Sequence, residues 1–332
     1  MTVSVILKTL NEEARIGAAI ESVLTALDGI GGEIIVADGG SRDRTLAIAA
    51  GYPVRIVQLD PATAPSCGIG PQLGFQYSRA PFICLMDGDM LLDPGFLPEA
   101  LAFLAAHPRI AGVTGHVEEM NRTSLEYVRR NRRASPENRT GAIDRMNGGG
   151  LYRRDAIEQA GYLSDRNLHG YEEFDLGVRL RSQDWTLHRL DRRFVRHFGH
   201  ALNAYALLLR RWKSGYLRGI GELLRGALGQ PRWRHLVREL PELKLWAGVY
   251  VWLAVMIALL FAMPSPLAGL AAGAALTAGI VGAMSLRQRS LSLGLYAVVA
   301  WLFHAAALPL GFLQARKAPE AWIESRIVKD VS

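Results

Sequence analysis

Two aspartates one residue apart, Asp87 and Asp89, directly follow an apolar run at residues 80–86. A run of this length predicts a buried strand, and ligands of open parallel α/β sheets bind beyond the carboxyl ends of the strands. The intervening Gly88 gives the backbone the freedom to turn both carboxylates toward one divalent cation. Such a cation can hold a diphosphate. An ordinary acidic turn after a strand is the other interpretation, and only the surrounding chain distinguishes the two.

The chain before these aspartates alternates between strands and helices. Apolar segments rich in β-branched residues predict strands at residues 3–7, 33–37, 54–59 and 83–86. Between the first two strands, Ile16, Ile20 and Val23 recur at helical spacing. This alternation is typical of right-handed crossover connections and predicts an α/β fold with a mostly parallel sheet.

Polar side chains follow three of these strands. Thr9 and Glu12 come after the first, Asp38 after the second, and the two aspartates after the fourth. A single aspartate in such a position is usually a turn residue or a helix cap, whereas three strands that end in this way indicate a site at one edge of the sheet. The chain contains neither the Gly-x-Gly-x-x-Gly dinucleotide fingerprint nor the Gly-x-x-x-x-Gly-Lys phosphate loop.

The last third of the chain has the composition of a membrane region. Residues 245–286 and 290–315 contain no Asp, Glu, Lys or Arg, and a helix that spans a bilayer needs about 20 apolar residues. A soluble hydrophobic core is the alternative, but uncharged runs of this length argue against it. We therefore expect about three membrane helices, at residues 246–263, 267–285 and 294–313.

The positive charge of the chain is concentrated directly before these helices. Residues 200–245 carry a net charge of +6, out of +7 for the whole chain. Basic residues beside membrane helices favour the cytoplasmic side and anionic lipid headgroups. We therefore expect the membrane, rather than nucleic acid, to be the partner of this segment.

Part of the basic segment predicts an amphipathic helix. Tyr205, Leu209, Trp212 and Tyr216 recur every three or four residues, with basic residues between them. This pattern is typical of a helix in the plane of the lipid headgroups, and packing against the first domain is the alternative for its apolar side. The expected organisation is an α/β domain at residues 1–200, basic amphipathic interfacial helices at 201–245, and membrane helices with a short tail at 246–332.

The first domain is expected on the cytoplasmic side. The amino terminus has no basic stretch followed by an apolar signal segment. The only two cysteines, Cys67 and Cys84, lack metal-site spacing and suit a reducing compartment, so neither a disulfide nor a zinc site is expected.

This orientation leaves the end of the chain ambiguous. Arg287 and Arg289 fall inside, but three spans would place Arg316 and Lys317 outside, against the usual charge bias. Either the third segment is re-entrant near Pro309, or the mixed-charge tail is tolerated on the outer side.

Five segments resemble, in the same order, the motifs of family 2 glycosyltransferases. They are residues 3–24, 34–43, 87–97, 148–156 and 171–180, which resemble the family's PTYNEE opening, IVVDDGSTD element, DxD motif, GxxxxxRRxA stretch and EDxDLxxRL segment. Each motif alone is weak, but five in the family's order over residues 1–200 are specific. The resemblance implies a GT-A fold, which is Rossmann-like, and a nucleotide-diphosphate sugar as the donor.

The resemblance assigns roles to residues that match the family's motifs. It implies that Thr9 and Glu12 line the nucleotide pocket and that Asp38 reads the base or the ribose. Gly149 and Gly150 stand in the family's glycine-containing stretch and are candidate substrate-binding residues.

The same resemblance implies a metal-dependent enzyme with Mg²⁺ or Mn²⁺ as its cofactor. Asp87 and Asp89 would bind the sugar nucleotide and the cation, with Asp89 as the direct ligand, because such cations prefer oxygen ligands. Some related enzymes place a histidine ligand where His197 stands. A surface or core histidine is the other interpretation of His197.

Glu172 and Glu173 stand at the family's general-base position. An acceptor hydroxyl needs a carboxylate to take its proton. Glu173 aligns with the second acid of the family's pair, usually Asp, and is the predicted base, with Glu172 and Asp175 as the other candidates. Ion pairs with Arg179 at helical spacing are the structural alternative for these acids. A single base, together with the resemblance, implies inversion at the sugar.

Several positions depart from the family's pattern or leave their roles open. Lys8 replaces the family's usual proline, and the lysine and asparagine common before the DxD motif are missing. Arg211 and Trp212 resemble the end of the Gln-x-x-Arg-Trp motif of processive synthases and are candidate substrate-binding residues. Leu208 replaces the glutamine, which argues against polymer synthesis. The basic residues 129–133 either close over the diphosphate or form plain exposed surface.

The sequence thus predicts an inverting glycosyltransferase at the cytoplasmic face of the cell inner membrane. It would transfer a sugar to a hydroxyl of a lipid or lipid-linked acceptor, since membrane anchoring suits an amphiphilic acceptor. Transfer to a polyprenyl phosphate, which is already anionic and needs no base, is a second hypothesis. A non-catalytic membrane protein that binds nucleotide sugars is a third.

Overall fold

The computed structural model describes residues 1–121, 139–199, 203–240 and 242–331. The basic residues 129–133 lie outside these ranges. The chain divides into two compact units, the first of which combines Met1–Leu202 with Ala315–Ser332, and the second of which is Asn203–Gln314.

The first unit is an α/β structure built on one sheet. Its strands are β1 (Val3–Thr9), β2 (Gly32–Asp38), β3 (Arg55–Leu59), β4 (Phe82–Asp87), β5 (Met90–Leu92), β6 (Ile110–Glu119), β7 (Gly141–Ile143), β8 (Gly150–Arg153), β9 (Thr186–His197) and β10 (Ser325–Lys329). Its helices are α1 (Ile16–Leu27), α2 (Thr45–Ala49), α3 (Ile69–Tyr77), α4 (Phe96–Ala106), α5 (Arg154–Gln159) and α6 (Glu172–Arg181).

The sheet has the strand order β10-β3-β2-β1-β4-β8-β6-β9-β5, with β7 paired to β9. The four strands predicted from the sequence, β1 to β4, are parallel to one another. Alternate residues of β1 enter two hydrophobic cores, Val5 and Leu7 on one face and Ile6 on the other. Helices cover both faces, as parallel strands require.

The α/β fold is confirmed, but beyond β4 the sheet is mixed, with β6 parallel to β9. β8 is antiparallel to both β4 and β6, and β5 and β7 are antiparallel to β9. Helical crossovers favour parallel strands, and the sequence pattern identified such crossovers only among β1 to β4. The later strands find their partners through contacts that are distant in sequence, which local patterns do not encode.

The segment after residue 314 is not a simple tail. β10 pairs antiparallel with the edge strand β3, with Arg326 opposite Gln58. Ile323, just before β10, is completely buried. The sequence analysis grouped this segment with the membrane helices, because its five-residue strand has no local signal that identifies so distant a partner.

The second unit is helical. It contains α7 (Ala204–Lys213), a 3₁₀ turn (Tyr216–Arg218), α8 (Gly219–Ala227), α9 (Trp233–Glu239), α10 (Glu242–Ala262), α11 (Pro266–Gln288) and α12 (Leu291–Leu313). The helices α10, α11 and α12 have mean hydropathies of 2.3, 1.8 and 1.8 in their most apolar windows and are long enough to cross a membrane. The prediction of three long apolar helices is confirmed.

The amphipathic helix predicted through Tyr205, Leu209, Trp212 and Tyr216 is interrupted before Tyr216. Gly215 adopts a φ of +80° and separates α7 from the 3₁₀ turn, so the two do not form one continuous helix. The apolar side of α7 packs within the second unit, since Trp212 lies edge-on to Phe303 and Tyr205 edge-on to Tyr296. Its place at a lipid interface stays a prediction.

Candidate active site

The ends of β1 and β4 meet at the carboxyl edge of the parallel strands. Lys8 lies opposite Asp87 in the ladder, and the Gly88 N–H donates to the Lys8 carbonyl oxygen over 3.0 Å. A Cβ atom on Gly88 would lie 2.6 Å from the Thr9 methyl group, closer than real side chains approach. Glycine at position 88 therefore allows Thr9 and both aspartates to share this edge.

Asp38, at the end of β2, is fully buried and surrounded by protein donors. One carboxylate oxygen accepts from the backbone N–H groups of Gly40 (3.0 Å) and Ser41 (2.9 Å) and from the Gln58 amide (3.0 Å). The other accepts from the Ser41 hydroxyl and, at 3.4 Å, from Thr9. Asp38 thus fixes the turn after β2, and contact with a base or ribose stays a prediction.

Glu12 lies beside the same edge. Its backbone N–H donates to the Thr45 hydroxyl over 2.7 Å, which holds the start of the β1–α1 connection against α2. Its Cγ atom would lie 3.4 Å from a Cβ atom on Gly88. The structure therefore brings Glu12, Thr9 and the Asp87–Asp89 motif together, as the sequence analysis expects.

The Lys8 side chain lies between the Asp87–Asp89 motif and the general-base candidates. Its ammonium group lies 3.0 Å from Asp87 and 3.8 Å from Glu172, and its side chain is only 17% exposed. Burial by itself lowers the pKa of Lys8, but the charges of Asp87, Glu172 and Glu173 outweigh it and hold the pKa well above its usual value. Lys8 is therefore a fixed positive charge between the two acidic motifs.

Asp89 faces a histidine rather than a lysine. Its Oδ2 atom lies 3.3 Å from His197 Nε2, and His197 Nδ1 lies 2.6 Å from Glu119. Burial by itself lowers the pKa of His197, but the hydrogen bonds and charges of Asp89 and Glu119 raise it to about 9. The other carboxylate oxygen of Asp89, Oδ1, is buried and has no hydrogen-bond partner among the residues that the structure describes.

This unpartnered oxygen fits the divalent cation that the family resemblance implies. A buried carboxylate oxygen without a partner is costly, and a cation would satisfy it. In the described ranges, no group of three or more His, Cys, Asp or Glu side chains is arranged to hold a metal ion. Mg²⁺ is commonly held by one or two carboxylates together with substrate phosphates, so Asp89 with His197 beside it suits such a site. Asp87 is instead directed at Lys8.

The acidic pair begins α6 after a residue in a strained conformation. Tyr171, directly before the helix, has a φ of +69°, a conformation that costs free energy in a non-glycine residue and often marks a functional site. Glu172 is buried, whereas Glu173 is half-buried. Burial first, and the charge of Glu173 second, raise the pKa of Glu172 to about 8 despite the opposing effect of Lys8. Glu172 is therefore largely protonated at neutral pH.

Asp175 has a structural partner. Its carboxylate forms a 2.7 Å ion pair with Arg179, and both side chains are almost completely buried. Arg179 also donates to the backbone carbonyl groups of Tyr162 and Leu163. Asp175 thus orients an arginine that ties α6 to the preceding loop, and the role of Glu173 as the base stays a prediction.

Gly149 and Gly150 bring β8 against β4. Both have positive φ angles, of +98° and +148°. A Cβ atom on Gly149 would collide with the Leu85 carbonyl oxygen, and one on Gly150 would lie 2.6 Å from that of Val113. These glycines therefore have a packing role just before the end of β4, and their contact with substrate stays a prediction.

Arg211 and Trp212 belong to the second unit. The Arg211 guanidinium lies over the Tyr216 ring, 5.0 Å from its centroid, and Trp212 packs on Phe303. Their proposed contact with substrate stays a prediction.

Sequence reasoning missed three supporting residues, although each had a detectable signal. Gln58 is a polar residue inside an apolar strand, and it bonds Asp38. Glu119 is a polar residue at the end of β6, the same signal that identified Thr9, and it bonds His197. Lys8 was noted only as a departure from the family, whereas its charge at the end of β1 marks it as a partner for nearby acids.

Comparisons with known proteins agree with this architecture. Residues 4–161 match the model of Glycosyl transferase family 2. Glucosyl-3-phosphoglycerate synthase from Mycolicibacterium smegmatis is 36% identical over 106 residues, which are 30% of this chain and 35% of the relative. The low-salt glycan biosynthesis hexosyltransferase Agl6 from Haloferax volcanii is 37% identical over 102 residues, which are 30% of this chain and 24% of the relative. The chain thus matches only about a third or less of the length of these relatives.

A solved structure shares the fold over a larger part of the chain. Residues 1–349 of TarS from S. aureus superpose with a TM-score of 0.51 at 16% sequence identity. The superposition covers 76% of this chain and 79% of that chain. A structure of the same TarS fragment in complex with UDP-GlcNAc superposes with the same TM-score at 15% identity, over 78% of this chain and 81% of that chain.

Proposed function

We propose that this chain, which contains a glycosyl transferase family 2 domain at residues 4–161, is a metal-dependent, inverting glycosyltransferase. Its donor is a nucleotide-diphosphate sugar, and its acceptor is a hydroxyl group of a lipid or a lipid-linked molecule at the cytoplasmic face of a membrane. The observation that carries the proposal is the meeting of the Asp87–Asp89 motif with the Glu172–Glu173 pair, since the Lys8 ammonium group lies 3.0 Å from Asp87 and 3.8 Å from Glu172.

The donor side of the reaction would use the ends of β1, β2 and β4. Thr9 and Glu12 line the nucleotide pocket, and Asp38 with Gln58 holds the turn that shapes it. Asp89, with His197 beside it, would hold Mg²⁺ or Mn²⁺, which when bound neutralises charge on the departing diphosphate. A fold of this kind holds UDP-GlcNAc in TarS, which supports a nucleotide-sugar donor.

The acceptor side would use the start of α6. Glu173 takes the proton of the attacking hydroxyl, as a general base must. Glu172, which burial and Glu173 keep largely protonated near neutral pH, adds little negative charge beside it. Lys8 offsets the negative charge of Asp87 and Glu173 and holds the two acidic motifs in a fixed relation. One base without a second carboxylate nucleophile implies inversion of the sugar's anomeric configuration.

The membrane part of the proposal rests on the second unit. Its three long apolar helices and the preceding basic helices suit an attachment that brings an amphiphilic acceptor within reach. The first curated relative is named for glucosyl-3-phosphoglycerate, so a soluble acceptor is the competing outcome that an assay must include.

The test is an assay of the full-length protein in lipid nanodiscs with Mn²⁺ or Mg²⁺ and a panel of labelled nucleotide-diphosphate sugars. Lipid extracts that contain polyprenyl phosphates and, separately, 3-phosphoglycerate serve as acceptors. We expect cation-dependent label in the organic phase, and mass analysis identifies the product. Label only on 3-phosphoglycerate would overturn the lipid acceptor, and neither binding nor hydrolysis of any donor would leave a non-catalytic protein.

Glu173→Gln tests the mechanism. We expect a fall in turnover of about 100-fold or more, because general-base catalysis contributes about 10²–10⁴-fold. Glu158→Gln, at an exposed position in α5, is the matched control and should retain full turnover. Unchanged turnover of the Glu173 variant would contradict a hydroxyl acceptor and favour a polyprenyl phosphate, which needs no base.

A further inference from the structure

The end of the chain is built into the first unit. β10 pairs with β3, the Arg326 guanidinium donates to the Gln58 side-chain oxygen, and Asp330 forms a 2.8 Å ion pair with Arg55. Paired strands are about 4.8 Å apart, whereas the hydrocarbon core of a bilayer is about 30 Å thick. The residues before the second unit and the residues after it therefore lie on the same side of any membrane that the chain enters.

An even number of membrane crossings must then separate the two parts of the first unit. Three helices long enough to cross lie between them. At least one of these helices consequently does not cross, whatever its hydropathy.

The contacts of α12 identify it as the helix that does not cross. Near its start, Gly294 lies against Ser285 in the last turn of α11. Ten residues later, which is roughly 15 Å of helix, His304 stacks on Trp246 near the start of α10, with ring centroids 5.2 Å apart. The Tyr250 hydroxyl donates to the Ala305 carbonyl oxygen over 2.7 Å. α12 therefore extends from the end of α11 to the first turns of α10, both of which belong to the same end of the α10–α11 hairpin.

The helix α7, the 3₁₀ turn and α8 contact the second half of α12. Trp212 contacts Phe303, and the Arg225 guanidinium lies 5.8 Å from the centroid of Phe312. Gly311 packs so tightly on the Arg218 backbone that an added Cβ atom would collide with the carbonyl oxygen. Within its most apolar window, 28% of α12 is buried in the unit, compared with 11% for α10 and for α11. A helix packed against arginine-bearing helices is poorly suited to span the hydrocarbon core.

The distribution of charge agrees with this arrangement. Arg287 and Arg289 precede α12, and Arg316 and Lys317 follow it, whereas the α10–α11 connection at residues 263–265 carries no charge. Basic residues at both ends of α12 favour the cytoplasmic side for both ends.

We infer that α10 and α11 cross the membrane as a hairpin, and that α12 stays in the cytoplasmic leaflet with α7 and α8. The inference rests on the membrane attachment in the proposed function. It replaces three crossings by two, and it places every charged connection of the second unit on the side of the first unit. The partner of the α7, α8 and α12 surface is accordingly a lipid headgroup layer.

The test is labelling of single introduced cysteines in the full-length protein with a membrane-impermeant maleimide, in sealed right-side-out and inverted vesicles. Pro264→Cys probes the α10–α11 connection, Ser292→Cys the start of α12, and Ala318→Cys the segment after it. Ala62→Cys, an exposed position in the first unit, reports the side of that unit. The unmodified chain, with Cys67 and Cys84, gives the background.

We expect labelling of Ala62→Cys, Ser292→Cys and Ala318→Cys from one side and of Pro264→Cys from the other. Labelling of Ala318→Cys from the Pro264→Cys side, in protein that resists alkaline carbonate, would overturn the inference and leave membrane anchoring intact. Release of the protein by carbonate, with all four positions labelled from one side, would overturn the two crossings together with the anchor itself. Carbonate extraction thus distinguishes a wrong number of crossings from the absence of membrane anchoring.

Discussion

The ends of β2 and β4 both carry an aspartate that the sequence marks as a ligand-binding residue, but the structure surrounds the two carboxylates differently. Asp38 receives hydrogen bonds from the turn after its own strand, from Gln58 and from Thr9. Asp89 keeps one buried oxygen without a partner. A carboxylate whose donors are supplied by the protein stabilises a turn, whereas one with an unsatisfied oxygen is prepared for a ligand. Substitution of Asp89 should therefore mainly lower activity, whereas substitution of Asp38 should mainly lower stability.

Asp89→Asn should cause the larger effect, on activity. Replacement of one charged oxygen removes cation binding at the diphosphate, and we expect turnover to fall by about 100-fold or more, the order that loss of one electrostatic stabiliser costs. The free energy of unfolding should fall less than for Asp38→Ala, because among the described residues the Asp89 side chain has one partner, His197 at 3.3 Å, and its other oxygen has none. Transfer assays and direct Mn²⁺ titration of the protein measure the two losses.

Asp191→Asn provides the matched control for Asp89→Asn. Asp191 lies on β9, the strand that carries His197, and its side chain is 87% exposed. It should retain both turnover and Mn²⁺ binding. Full Mn²⁺ affinity in the Asp89 variant would show that the cation binds elsewhere.

Asp38→Ala should cause the second effect, on stability. The change leaves buried donors of Gly40, Ser41 and Gln58 without an acceptor, and we expect a loss of about 3 kcal/mol in the free energy of unfolding. Asp38→Asn should cost less, since the hydroxyl groups of Ser41 and Thr9 can turn to accept from an amide. Denaturant titration of Asp38→Ala, Asp38→Asn and Asp89→Asn measures how much free energy of unfolding each variant loses. A greater loss for Asp89→Asn than for Asp38→Ala would reverse the comparison.

Local sequence patterns predict the donor side of the site better than its surroundings. β1, β2, β3 and β4 alternate with helices, so their order, direction and polar ends follow from periodicity and from connection rules. The ion pairs of Lys8 depend on where α6 begins, far along the chain, and no local pattern specifies that contact. The edge strand β10 and the antiparallel β8 likewise depend on partners distant in sequence. Glu172 and Glu173 were identified as the general-base pair from the order of the family's motifs. Composition alone would not have distinguished them from exposed acids on a helix.

Glu172 is a third carboxylate for the comparison, buried beside the like charge of Glu173. Its substitution should have the smallest effect, a change in how stability depends on pH. Its pKa is raised from 4.5 to about 8, first by burial and then by Glu173, while Lys8 opposes the rise. Between these two pH values the folded protein keeps a proton that the unfolded chain has lost, so the stability of the folded state falls as the pH rises. Glu172→Gln removes this term, because glutamine does not titrate.

The unfolding midpoint of the Glu172→Gln variant should therefore improve relative to that of the unmodified protein as the pH increases from 5 to 8. Glu158→Gln, whose carboxylate is largely exposed, should keep a constant difference over the same range. Thermal unfolding of the three proteins in one detergent at matched ionic strength measures these differences. Parallel curves for Glu172→Gln and the unmodified protein would mean that Glu172 is ionised in the folded state. Lys8 would then offset the charge of Glu172 in addition to those of Asp87 and Glu173, and Glu172 would regain its place as a general-base candidate beside Glu173.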